Sequence, residues 1–191
     1  MLIKNVYLCS MAEPIAISLD AREPMRTMTQ DANTYYIWVG GSCDYGHKER
    51  AGGAAVVIEK DGKMVGRDVI SDFHTTEFRM MLALMVKVMN ELPEGSDILF
   101  LTNVAYIQNF DKTPTPKTAN PDLIELCIKA KQRHHRVDVS IVKYHKSPLL
   151  IEAHDSSTEA MKKLRKSFGG LSKNSGGVGE TTKFITSVKK A

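Results

Sequence analysis

The sequence predicts an α/β fold built around one five-stranded sheet. Two observations lead to this prediction. Short β-prone runs separated by turn residues begin near position 35, and later segments carry apolar residues at the three- and four-residue spacing of helices that pack on a sheet. The chain has 191 residues, of which 42% are apolar and 25% charged, so one domain can bury a sizeable core.

Three strands are predicted first. Tyr35–Val39 is a compact β-prone run followed by Gly40-Gly41-Ser42, which we interpret as a turn. Ala54–Glu59 and Met64–Ser71 form the next two runs. Asp61-Gly62 between them is typical of a tight hairpin, because both residues tolerate positive φ. Sequential strands with short connections predict an antiparallel meander.

A helix should follow, with Thr75 or Thr76 as its N-cap and Glu77 as a favourable negative charge in the first turn. Pro93-Glu94-Gly95 ends this helix. Its predicted apolar face consists of Phe78, Met81, Leu82, Met85, Val86 and Met89.

The remaining chain alternates strands and helices. Ile98–Leu101 predicts a buried strand, and the stretch Asp111–Pro121, which contains three prolines, predicts an exposed loop. A helix begins at Pro121, with Leu123, Leu126, Cys127 and Ala130 as its inner stripe. The other predicted elements are a short helix at Asn103–Phe110, a strand at Val137–Tyr144 and a last helix at Glu152–Lys166.

We divide the chain into an N-terminal extension (1–33), a domain (34–166), and a Gly/Ser-rich linker with a basic tail (167–191). No apolar run reaches the ~20 residues that cross a bilayer, and Val6–Cys9 is a poor signal-peptide core. We therefore expect a cytoplasmic chain without membrane association. Three widely spaced cysteines predict free thiols, since neither a disulfide framework nor a zinc site fits them.

Positive charge is concentrated towards the C-terminus. Residues 156–191 carry eight Lys/Arg against two Glu, a balance of +6, so the remaining residues carry −2 of the total of +4. Such a segment can approach phosphate groups, although a solvated tail explains the same charges.

Four segments resemble a known family. Residues 39–42 read Val-Gly-Gly-Ser, residues 75–82 read Thr-Thr-Glu-Phe-Arg-Met-Met-Leu, residues 101–107 read Leu-Thr-Asn-Val-Ala-Tyr-Ile, and residues 142–147 read Val-Lys-Tyr-His-Lys-Ser. Their order and spacing over about residues 34–163 resemble the type 1 ribonuclease H family. The resemblance implies a mixed sheet, with three antiparallel strands followed by two parallel strands, flanked by helices.

The family's active site contains four carboxylates that hold two divalent metals ~4 Å apart for phosphodiester hydrolysis. The resemblance places Gly40, Met81, Asn103 and Asp155 at those four positions, and His145 at the family's loop histidine. Only Asp155 keeps a carboxylate, so it is the one weak metal candidate. We expect the usual two-metal reaction to fail and predict no resident cofactor.

Two neighbouring acids, Asp44 and Glu77, could join Asp155 in a relocated Mg²⁺ or Mn²⁺ site. The simpler interpretation is that Glu77 stabilises a helix start while Asp44 faces water in a turn.

Three hypotheses therefore remain open. The first is a catalytically degenerate module that binds or scaffolds nucleic acid, including RNA–DNA hybrids, weakly and without sequence preference. The second is a divergent hybrid-cleaving hydrolase, and the third is a subunit that binds only protein. The residues predicted to contact nucleic acid are Lys143, Lys146, Lys162, Lys163, Arg165 and Lys166.

Overall fold

The computed structural model describes the backbone of residues 34–171 and the side chains of residues 34–167. Three antiparallel strands come first: β1 (Thr34–Cys43) pairs with β2 (Gly52–Lys60), and β2 pairs with β3 (Lys63–Asp72). The β2–β3 hairpin turns at Asp61-Gly62, whose φ angles are 52° and 71°. The predicted meander and its turn are confirmed.

Two further strands, β4 (Asp97–Thr102) and β5 (Arg136–Ile141), complete the sheet in the order β3-β2-β1-β4-β5. The β1–β4 and β4–β5 pairs are parallel, so the chain must cross over the sheet before β4 and again before β5. Helices α1 (Glu77–Glu91) and α2 (Pro121–Lys131) lie in the connections to β4 and β5. The mixed five-stranded α/β sheet predicted from the sequence is therefore confirmed.

Each face of the sheet carries its own apolar cluster. Helices α1 and α2 cover one face, where Ile37 is fully buried. The long helix α3 (Pro148–Leu171) packs on the other face, where Trp38 retains 6% exposure against Leu99, Leu101 and Leu150. Adjacent strand residues point to opposite faces, which explains why Ile37 and Trp38 belong to different clusters.

Helix α1 begins as predicted. The Thr76 hydroxyl oxygen accepts a hydrogen bond from the Arg79 backbone N–H at 3.2 Å. In α2 one predicted core residue is wrong: Leu126 is 48% exposed, and Ile124 occupies the buried stripe instead. Leu126 and Ile124 both lie three or four residues from other apolar positions of α2. The apolar spacing alone therefore could not show which of them is buried.

Several predicted boundaries also change. Gly40-Gly41-Ser42 continues β1 rather than forming a turn. Helix α3 begins at Pro148, four residues before the predicted start, and extends through Leu171 into the predicted linker. The short helix is a 3-10 turn over Ala105–Asn109, and β5 ends before a second 3-10 turn over Tyr144–Lys146. The predicted extension 1–33 and the tail beyond Leu171 lie outside the described residues. Within those residues, no helix is long and apolar enough to cross a membrane.

Candidate functional site

Two of the residues singled out by the sequence, Gly40 and Asn103, lie towards one edge of the sheet. β1 and β4 run parallel, and their last paired residues are Trp38 and Leu101. Beyond that pair β1 continues through Gly40, while Asn103 follows the end of β4. Parallel strands direct such residues towards the same edge, which is where α/β sheets commonly bind ligands.

At Gly40, the α3 backbone occupies the space of a side chain. A Cβ placed on Gly40 would lie 2.7 Å from the backbone nitrogen of His154, 2.9 Å from its Cα and 3.0 Å from the carbonyl carbon of Ala153. Real Cβ atoms essentially never approach other heavy atoms within 3.0 Å. Glycine at this position supplies no metal ligand, and it also allows α3 to pack directly against the central strand.

The same close packing continues at neighbouring positions. A Cβ on Gly53 of β2 would fall well within 3.0 Å of the Ser157 carbonyl oxygen. The Ser42 hydroxyl lies 2.9 Å from the Ser157 hydroxyl and 2.7 Å from the Thr158 hydroxyl. Small residues on two strands and a buried hydroxyl cluster thus hold α3 close to the sheet.

Met81 is also enclosed. Its side chain is fully buried in the core shared by α1 and α2. Its Cγ and Sδ atoms lie 2.7 and 2.9 Å from the position that a Cβ on Gly41 would occupy. The thioether therefore fills the space beside β1 on the opposite face from α3, at the position where the resemblance places a carboxylate.

The two remaining positions, Asn103 and Asp155, are exposed. The buried stripe of α3 runs through Leu150, Ala153, Ser157 and Met161, and Asp155 lies on the other side of the helix. The residue that meets β1 is His154, one position earlier. Sequence reasoning missed it, because counting ten residues from His145 gave Asp155, and only the path of α3 shows that His154 lies against the strand.

Glu77 lies near His154 at the start of α1. Burial raises the pKa of the half-buried Glu77 carboxyl, and the neighbouring His154 acts in the opposite direction. The Tyr144 ring lies 5.5 Å from the His154 ring at an interplanar angle of 77°. This edge of the sheet thus brings together the Glu77 carboxyl, the His154 imidazole and the Tyr144 phenol.

Asp44 is engaged elsewhere. Its Oδ2 atom lies 2.7 Å from His47 Nδ1 and 2.7 Å from an Arg165 guanidinium nitrogen. Hydrogen bonds from His47 and then from Arg165 lower the pKa of Asp44 from 3.8 to about 2. Arg165 is eleven residues beyond His154, or about 16 Å along the helix. The proposed substitutes Asp44, Glu77 and Asp155 are not brought together, and in the described range 34–167 no three His, Cys, Asp or Glu side chains are grouped to hold a metal ion.

The predicted basic residues form two separate groups. Lys143 and Lys146 are exposed near the 3-10 turn that precedes α3, together with exposed His145. The other four lie in the last described turns of α3, about 20 Å further along the helix. Two of these four already have partners: Lys163 lies 2.7 Å from Glu159, and Arg165 contacts Asp44.

Comparison with known proteins identifies the structural class of this fold. No family model and no curated protein sequence matches the chain. Solved structures do match it, and their sheet topology and helices identify a ribonuclease H-like fold.

Three of the matching structures are ribonucleases H. LC9-RNase H1, a type 1 enzyme with the type 2 active-site motif, has a TM-score of 0.60 and 18% identity over 70% of this chain and 74% of its own. The N-terminal RNase H domain of a Mycobacterium tuberculosis protein has a TM-score of 0.56 and 13% identity over 71% of this chain and 98% of its own. RNase H1 from the archaeon Halobacterium salinarum has a TM-score of 0.51 and 14% identity over 68% of this chain and 98% of its own. At these identities the likeness is one of fold, and function depends on the site.

Proposed function

We propose that this chain is a nucleic-acid-binding module of ribonuclease H-like fold that does not hydrolyse phosphodiesters by a two-metal reaction. The observation that carries the proposal is the contact between Gly40 and the α3 backbone. A metal ligand on the central strand would need the space in which His154 and Ala153 pack.

Two-metal hydrolysis needs several oxygen ligands that converge on both ions. Here β1 offers no side chain at Gly40, and α1 offers the buried thioether of Met81, a soft ligand that suits Mg²⁺ poorly. Asn103 supplies one neutral oxygen, and Asp155 points away from the sheet. The alternative, a metal site relocated to Asp44, Glu77 and Asp155, loses support because the Asp44 carboxylate is already bound by His47 and Arg165.

Nucleic-acid binding does not require a metal ion, because exposed cationic side chains can contact the phosphate backbone directly. Exposed lysines at Lys143, Lys146, Lys162 and Lys166 can neutralise phosphate groups without reading bases. Each neutralised phosphate releases condensed counterions, so the affinity should fall steeply with salt. Three such contacts would lower the affinity by about 40-fold between 50 and 200 mM salt.

Fluorescence anisotropy of the full chain with a labelled 20-base-pair RNA–DNA hybrid tests this function. We expect saturable binding at 50 mM salt that weakens at 200 mM, and an intact hybrid after prolonged incubation with Mn²⁺. Absence of binding at 50 mM salt would overturn the binding role and favour a subunit that binds only protein. Cleavage in Mn²⁺ that disappears in Asp155→Ala would instead establish a relocated metal centre.

A further inference from the structure

The loop between β1 and β2, residues 44–51, presents an aromatic ring to solvent. Tyr45 is 57% exposed, and among the described side chains no other phenylalanine, tyrosine or tryptophan is exposed. Burial and the nearby Glu77 charge raise the pKa of the Tyr45 hydroxyl, while the Glu77 backbone acts in the opposite direction. The hydroxyl end of the ring is therefore held near the start of α1, and much of the remaining ring surface meets water.

Backbone hydrogen bonds fix this loop in position. The Asp44 N–H donates to the Ala51 carbonyl at 2.9 Å and closes the loop. The His74 N–H, in the segment between β3 and α1, donates to the Glu49 carbonyl at 2.7 Å. These bonds hold Tyr45 in place before a ligand arrives, so binding has little of the loop to order.

Cationic side chains lie near the Tyr45 ring, both in the loop and at the end of α3. The Arg165 guanidinium of α3 contacts the Asp44 carboxylate at 2.7 Å, which places the last described turns of α3 beside the loop. The exposed cationic residues of the loop and of these turns are Lys48, Arg50, Lys162 and Lys166.

Most acidic groups around the loop are bound or partly buried. The Asp44 carboxylate is engaged by His47 and Arg165, and Glu49 and Glu77 are half-buried. Asp72 at the end of β3 is exposed, and its carboxylate accepts a hydrogen bond from the Phe73 N–H at 2.8 Å. The exposed charges beside the aromatic ring are thus mainly positive, which favours a polyanionic ligand.

We propose that the β1–β2 loop binds single-stranded nucleic acid by stacking a base on the Tyr45 ring. The inference rests on the function proposed above and specifies which form of nucleic acid is bound. An unpaired strand can turn the face of a base towards an aromatic side chain, whereas in a duplex these faces are stacked within the helix. Such stacking tolerates every base, and neighbouring cations can follow the backbone. An exposed ring among cations therefore fits a single strand better than a duplex.

Fluorescence anisotropy of the full chain at 50 mM salt compares the labelled hybrid with its RNA strand alone. Contacts with phosphate alone would favour the hybrid, because a duplex carries twice the charge per unit length. Stacking predicts instead that the single strand binds about fivefold or more tightly than the hybrid. A smaller difference, or tighter binding of the hybrid, would overturn the inference and leave nucleic-acid binding intact. Absence of binding to both would defeat the binding function itself and favour a protein partner.

Substitutions of Tyr45 locate the contact. Tyr45→Ala should weaken single-strand binding by about fivefold or more, and the slope of log affinity against log salt should stay unchanged because no phosphate contact is lost. Tyr45→Leu keeps an apolar side chain without an aromatic face and should show the same loss. Tyr45→Phe keeps the ring and should bind within about twofold of the unmodified chain. The matched control is Leu126→Ala, which shortens a 48% exposed side chain of α2 and should leave binding unchanged.

Two results would place the bound bases elsewhere and overturn the inference. One is an unchanged single-strand affinity in Tyr45→Ala, and the other is a loss in Tyr45→Phe as large as that in Tyr45→Ala. Equal melting temperatures of the Tyr45 variants and the control confirm that the comparison concerns folded protein.

Discussion

Replacing Gly40 by alanine tests whether α3 packs directly on β1. The added Cβ would lie 2.7 Å from the His154 nitrogen, so α3 would have to move by about 0.7 Å to restore an ordinary contact. All three nearest atoms belong to the backbone of His154 and Ala153, so none can rotate away as a side chain can. Overpacking of this kind costs about 1–3 kcal/mol, and the reduced freedom of the unfolded chain offsets about 0.4–1 kcal/mol.

We therefore expect Gly40→Ala to lower the free energy of unfolding by about 1–2 kcal/mol. For a folded region of this size, the melting temperature should fall by roughly 4–8 °C. Gly66→Ala on edge strand β3 is the matched control, because its Cβ would meet the Ile58 side chain at 3.5 Å, an ordinary contact. This control should leave stability unchanged or raise it by up to about 1 kcal/mol.

Urea unfolding followed by fluorescence of Trp38, the only tryptophan, measures both variants. Trp38 is 6% exposed on the face that α3 covers, so its emission should report the loss of this packing. Equal stabilities of Gly40→Ala and Gly66→Ala would refute the close contact and, with it, the steric part of the functional argument.

Three further predictions concern the metal, the pH dependence and the thiols. Asn103→Asp restores an exposed carboxylate without disturbing the core, and a gel assay in Mn²⁺ should still show an intact hybrid; cleavage would count against the proposed function. Because the folded pKa of Asp44 is about 2, below the ordinary 3.8, its stabilising effect is present above pH ~4 and is lost as the pH falls towards 2. Asp44→Asn should accordingly lose less stability than the wild type between pH 4 and 2 in thermal scans; parallel losses would contradict the ion pairs seen at Asp44. The Cys127 thiol is fully buried, which raises its pKa to about 12, so it should react with a disulfide reagent only in denaturant. Rapid native-state labelling that disappears in Cys127→Ala would show that this part of the core opens.

Local sequence signals predicted the elements whose ends are determined locally. The Asp61-Gly62 pair fixed the hairpin because few other residues adopt its positive φ angles at low cost. The Thr75-Thr76 pair identified the start of α1, and in the structure it is the Thr76 hydroxyl that satisfies a free backbone N–H there. Each of these predictions depends on chemistry within a few residues of the chain, which a sequence displays directly.

The candidate site could be predicted only in part, because it depends on contacts between distant residues. Gly40-Gly41 looks like a turn by composition, yet both residues continue a strand because α3 and α1 need that space. The absence of carboxylates was visible in the sequence, whereas the closed packing was not. The position of His154 likewise depends on the four extra residues at the start of α3, beginning at Pro148, which the apolar pattern did not reveal.

These contacts link the absence of a side chain at position 40 to the stability of the fold. Introducing an aspartate at position 40 would require α3 to move away from β1, against the close contact at Gly53 and the hydrogen bond between the Ser42 and Ser157 hydroxyls. A side chain at Gly40 therefore opposes the packing that holds α3, whichever residue is introduced. A side chain at that position would need β1, α3 and the hydroxyl cluster to shift together, because a close-packed interior passes such a change on to its neighbours.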